Sequence, residues 1–197
     1  MSALALIDGN SFYCSCERVF DAKLETRSFG QRVTSKVEME QAVASYATRL
    51  GEKLRRHGLA TDHVTVFMHT SQFDDDEPQR NVSMTVDIPE ATNDTLQLIK
   101  SARRAVDQLW RSGFRYSKAG IITQDLVAPP IPQLALFDGL NHERAARVMA
   151  AMDAANARFG RGTVVPAAIG TKVKWATKFE MRSPRYTTRW DELPKVI

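Results

Sequence analysis

Residues 81–88 read NVSMTVDI, and residues 64–71 read VTVFMHTS. In the first stretch Val82, Met84, Val86 and Ile88 alternate strictly with Asn81, Ser83, Thr85 and Asp87. Side chains of a strand point to opposite faces with a period of two, so this pattern predicts a strand with one buried face and one wet face. The 64–71 run reads as a second strand. Asp74, Asp75, Asp76, Glu77 and Pro78 between them read as an exposed acidic loop.

The flanks extend the pattern. Upstream, Met39, Val43, Tyr46, Leu50 and Leu54 recur at helical spacing, which predicts a helix over 37–57 ended by Gly58. Before it, 26–34 alternates, with Phe29 and Val33 on one side and Ser28 and Arg32 on the other. Downstream, Leu96, Ile99, Val106 and Leu109 mark a second helix over 94–112, and 116–127 reads as a fourth strand. Strand, helix, strand, strand, helix, strand is the split βαββαβ order. It predicts an α+β domain: a four-stranded antiparallel sheet with two helices on one face. The other face is then open. Phe29, Val33, Val82, Met84, Val86, Ala119 and Ile121 are expected under the helices. Ser28, Arg32, Ser83, Thr85 and Lys118 are expected outward, and small hydroxyls and cations on an open sheet suit phosphate contacts that position a nucleic acid without reading it.

After this domain comes APPIPQLALFDGLN (128–141), a proline-rich linker that carries Leu134, Leu136 and Phe137. Apolar residues in such a segment dock, either on the parent domain or in a partner's groove. A third helix is expected over 143–159, with Ala145, Val148, Met149, Met152, Ala155 and Phe159 as its stripe. The rest mixes bases with Trp175, Phe179, Tyr186 and Trp190, which could stack on nucleobases or form the core of a small module. Residues 158–197 hold nine Lys or Arg and three acids, so they carry +6 of the chain's formal +4. A basic tail on a near-neutral body suggests a polyanion partner, nucleic acid first.

At the other end LALIDGNSFY (4–13) reads as a short buried strand ending on Asp8, a common place for a metal ligand. Two-metal phosphoryl transfer needs several carboxylates in fixed geometry. The 74–77 acids lack apolar flanks, so the partners of Asp8 are missing. Cys14 and Cys16 are too close along a strand to bridge easily, and His57, His63, His69 and His142 have no ligand spacing. No apolar run approaches a membrane span and the N-terminus lacks a signal-peptide layout, so a cytoplasmic protein is expected.

IDGNSFYCSCERVF, RSFGQRVT with its helix, QLALF, and the stretch from MDAANARFGRGT to SPRYTTRWDELPKV together resemble the UmuC-type Y-family translesion DNA polymerases, the catalytic subunits of bacterial DNA polymerase V. The resemblance implies that residues 1–25 are the start of a palm. Asp8 would match the first Mg²⁺-binding carboxylate and Tyr13 the steric gate, with Phe12 beside it. It implies that 26–127 is a little finger that clasps primer-template DNA through its open sheet face. QLALF would be a sliding-clamp motif acting through Gln133, Leu134, Leu136 and Phe137, and 142–197 the family's C-terminal extension. A UmuD-like dimer and a recombinase filament are further partners that the resemblance suggests. The family's remaining palm, fingers and thumb are absent between Glu25 and Thr26. The expectation is therefore a DNA- and clamp-binding remnant that is inactive alone and holds no stable metal. The alternatives are part of a split polymerase completed by another chain, and a clamp-binding module without DNA affinity.

Overall fold

The computed structural model describes residues 24–73, 76–128, 142–171 and 174–176. The elements are β1 (Leu24–Val33), α1 (Lys36–Arg56), β2 (Thr61–Thr70), β3 (Asn81–Thr92), α2 (Thr95–Leu109), β4 (Tyr116–Ile122), α3 (His142–Phe159) and a 3-10 turn at Ala167–Ile169. The strands form one antiparallel sheet in the order β1-β4-β2-β3. Each strand–helix–strand unit skips one strand, so β4 sits between β1 and β2, and β2 sits between β3 and β4. This is the α+β architecture expected from the alternation, with α1 over β1 and β4 and α2 over β2 and β3.

The core lies between sheet and helices. The α1 stripe is buried as its spacing predicts, in one core with Val64, Val66 and Met68 of β2, Val86 and Ile88 of β3, and Ala119 and Ile121 of β4. Helix α2 differs in one position. Leu98, Ile99, Ala102, Ala105 and Val106 are buried, whereas Leu96 is exposed. The N-cap explains this: Asp94 accepts a 2.8 Å bond from the Leu96 amide, which fixes the helix start and leaves Leu96 on the outer side of the first turn. The two helices approach closely at Gly51, where a Cβ would lie 2.7 Å from the Thr95 hydroxyl. Strand β3 is an edge, so it runs through Pro89, whose missing N–H a central strand would not tolerate. Strand β4 ends at Ile122, short of the expected 127. Val127 makes only an isolated bridge to Ala60.

Residues 142–171 and 174–176 pack on this same body. Arg55 of α1, only 13% exposed, makes two 2.7 Å bonds to Asp153 of α3 and further bonds to the Asn93 carbonyl and the Thr95 hydroxyl. Ala168 and Ile169 touch the core, and Trp175, 6% exposed, sits edge-on to both Phe29 and Tyr46. Of the α3 stripe, Met149 and Met152 are buried, but Val148 and Phe159 are exposed. The expected stripe is wider than the surface that α3 covers. Among the described residues, no helix is long and apolar enough to cross a membrane.

A candidate nucleic-acid interface on the open sheet face

The strand register turns the open face into a grid. One row crosses the sheet as Ser28, Lys118, His69 and Asn81. The next is Thr26, Gly120, Phe67 and Ser83, and the third includes Ile122, Thr65 and Thr85. All of these share one parity, because Glu25, Val66, Met84 and Ile121 between them point to the helices. Sequence alternation therefore brings Ser28, Ser83, Thr85 and Lys118 onto one surface. Arg32 flanks it, half-exposed in the irregular end of β1 next to the buried Val33.

The outward residues of β2 were not singled out from sequence, since VTVFMHTS is too apolar to show a wet side. They are Thr65, Phe67 and His69. Thr65 and Thr85 share a 2.8 Å hydroxyl bond across β2 and β3. Phe67 is only 9% exposed although it is on the open face. Its ring reaches over Gly120, where a Cβ would fall 2.5 Å from the ring and 2.7 Å from the Thr26 Cβ. His69 lies beside it, ring centroids 5.1 Å apart and planes tilted by 44°. Partial burial, and then the Lys118 ammonium, hold the His69 pKa below the usual histidine value of 6.5. At neutral pH the central row therefore presents Lys118 as its cation and His69 as a neutral ring.

The face is electrically lopsided. Lys118 and Arg32 lie toward one end, and Asp87 and Asp62 lie toward the other. His63, in register with Asp87, is fixed there. The Gln124 amide donates to its Nε2 at 3.3 Å, so Nδ1 carries the proton and donates to Asp62 at 2.7 Å. Positive charge therefore gathers beside the Ser28–Lys118–Asn81 row and negative charge at the Asp87 end.

The other expected site residues fall elsewhere. Asp8, Phe12 and Tyr13, and Gln133, Leu134, Leu136 and Phe137, lie outside the described residues, as do Phe179, Tyr186 and Trp190. Among the described residues, no group of three or more His, Cys, Asp or Glu could hold a metal ion. Of the two readings of Trp175, base stacking or core, the structure supports the core one, because its ring is buried against Phe29 and Tyr46.

The α+β fold thus sets hydroxyls and a lysine on the sheet face that no described helix covers. The chain belongs to the impB/mucB/samB family, whose C-terminal domain matches residues 24–136. Residues 146–196 match a domain of unknown function, DUF4113. The sequence is 43% identical over 173 residues to Protein UmuC of Salmonella typhimurium, covering 87% of this chain and 41% of that protein. It is 39% identical over 170 residues to Protein ImpB of Salmonella typhimurium and 34% identical over 170 residues to Protein MucB of Escherichia coli, covering 86% of this chain and 40% of each. The chain thus spans about two-fifths of the length of these relatives. A solved complex of a beta-clamp processivity factor with the little finger domain of PolIV aligns with a TM-score of 0.40 and 19% identity. That alignment covers 59% of this chain and 97% of the other.

Proposed function

We propose that this chain is a DNA-binding and sliding-clamp-binding portion of a translesion polymerase of this family, acting in DNA repair and SOS mutagenesis. Primer-template DNA lies along the open sheet face, held by its phosphates. The observation that carries this reading is the row Ser28–Lys118–His69–Asn81 beside the Thr65–Thr85 hydroxyl pair, on a face that no described helix covers. Hydroxyls and one lysine contact phosphate oxygens but offer no pattern that would tell one base pair from another, so binding is independent of sequence. The QLALF segment, through Gln133, Leu134, Leu136 and Phe137, binds the clamp.

The chain does not transfer nucleotides by itself. Asp8 is the one carboxylate that the resemblance offers for Mg²⁺, and a two-metal site needs more. Tyr13 and Phe12 would keep their family role only if another chain supplied the rest of the palm. A UmuD-like dimer and a recombinase filament belong to the same reading as further partners, and the cytoplasm as its compartment.

The test puts the purified chain with a primer-template, Mg²⁺ and nucleotides, with and without clamp. Binding to both partners with no extension of the primer supports the proposal. Extension would show that the chain builds a metal site after all, and clamp binding without DNA affinity would reduce it to an interaction module.

A further inference from the structure

A second concentration of charge lies on the opposite side of the domain. Arg49, Glu52, Lys53 and Arg56 are spaced at i, i+3, i+4 and i+7 on α1, so they share one face. Along the neighbouring edge strand Glu25, Arg27 and Phe29 point the same way: Glu25 meets Lys53 at 2.6 Å, and Phe29 packs on the Trp175 ring that covers Tyr46. From beyond α3, Arg161 reaches Glu52 at 2.7 Å, where Arg56 also approaches at 3.6 Å. Among the described residues, five cations therefore face two carboxylates, and one of the two is already neutralised by Lys53.

The cleft between α1 and α3, about 460 Å³, includes Glu52, Arg55, Arg56, Asp153, Asn156 and Arg161 in its lining. Its floor is closed by internal pairs. Arg55 is spent on Asp153, and Asn156 exchanges both of its amide bonds with the Val164 backbone. Arg56 and Arg161 at the rim converge on the single carboxylate of Glu52, although each guanidinium has five donors. Among the described residues, no carboxylate lies within ion-pair distance of Arg27 or Arg49. Arg49 is half-buried, and its pKa is lowered by burial and then by Arg27 and Arg161. The carboxyl end of α1 works against an anion here, but it amounts to roughly half a charge, against an excess of three.

We propose that Arg49, Arg56 and Arg161, with Arg27 at the sheet edge, bind the phosphodiester backbone of a single nucleic-acid strand on the helix side of the domain. At about 460 Å³ the cleft is the size of a small-molecule pocket, which suits a short stretch of one backbone, with Arg27 and Arg49 beside it. Glu52, paired with both rim arginines, competes with the incoming phosphates. This goes beyond the sheet-face reading and does not depend on it.

The test uses the full chain, a labelled oligo-dT strand and a labelled DNA duplex, in a salt titration. Arg49→Gln with Arg161→Gln removes two phosphate contacts. The single-strand salt slope should fall by about 1.4 and the affinity near 0.1 M salt by about 25-fold, while duplex affinity moves less than twofold. Lys118→Gln should show the reverse preference. Glu52→Gln should tighten oligo-dT binding, which a merely structural glutamate would not do. The proposal is overturned if the double variant, melting like the parent, binds oligo-dT with unchanged slope. It is also overturned if Glu52→Gln weakens binding, or if pyrophosphate displaces the strand at micromolar concentration, which would mark a pocket for free phosphate.

Discussion

At the scale of single residues, Gly120 decides how flat the open face is. It stands in a central strand between Thr26 and Phe67, and a side chain there would have to occupy the space of the Phe67 ring. Gly120→Ala should destabilise the protein by about 1–3 kcal/mol, the usual cost of overpacking. Adding Phe67→Leu should recover part of the loss, and chemical denaturation of the two single variants and the double variant measures it. Strictly additive losses would mean that the ring and the glycine are not coupled. His69 gives a second test at this scale. Its pKa is lowered in the folded state, so the unfolded chain binds the proton more readily. Its contribution to stability is then complete above pH 6.5 and is lost as the pH falls from there through the folded value. Lys118→Gln should raise the His69 pKa as followed by NMR titration, because it removes one of the two causes; no change would mean that burial acts alone. Gly120 and Phe67 were illegible in the sequence: the close approach comes from register across three strands, and no local pattern encodes register.

At the scale of elements, the stretches with a clean period were legible and the others were not. NVSMTVDI alternates because β3 has one wet face, and the α1 stripe is strict because that helix is buried against both sheet and α2. The surface residues Ser28, Ser83, Thr85 and Lys118 followed from alternation alone. Leu96 and Phe159 misled because an apolar residue continues a helical stripe whether or not a neighbour reaches far enough to cover it. The docking of α3 left no local signal, since Arg55 and Asp153 are 98 residues apart. That pair makes a prediction of its own. Arg55→Met removes the bidentate contact and the bonds to Asn93 and Thr95, and hydrogen bonds to charged groups are worth roughly 1.5–3 kcal/mol. With Asp153 partly solvated, the expected loss is about 2 kcal/mol. Hydrogen exchange should quicken in α3 before it does in β2 or β4. Uniform quickening would mean that α3 and the sheet unfold as one unit.

At the scale of the whole molecule, the described body has two sides with different charge layouts, a sheet face with one polar row and a helix side rich in arginine. Between β4 and α3 runs the 128–141 segment with its QLALF motif. Leu136→Ala with Phe137→Ala should abolish clamp binding and leave DNA affinity unchanged, as read by surface plasmon resonance on immobilised clamp; retained binding would remove the motif from the account. The central claim, that the open sheet face holds DNA through its phosphates, is tested most directly by the salt dependence of primer-template affinity. Arg32→Gln with Lys118→Gln should reduce the slope of log affinity against log salt by about 1.8, since each lost phosphate contact on duplex DNA removes about 0.9. The reduction should be the same for unrelated DNA sequences. An unchanged slope would contradict the assignment and leave the basic segment beyond residue 157 to carry the duplex binding.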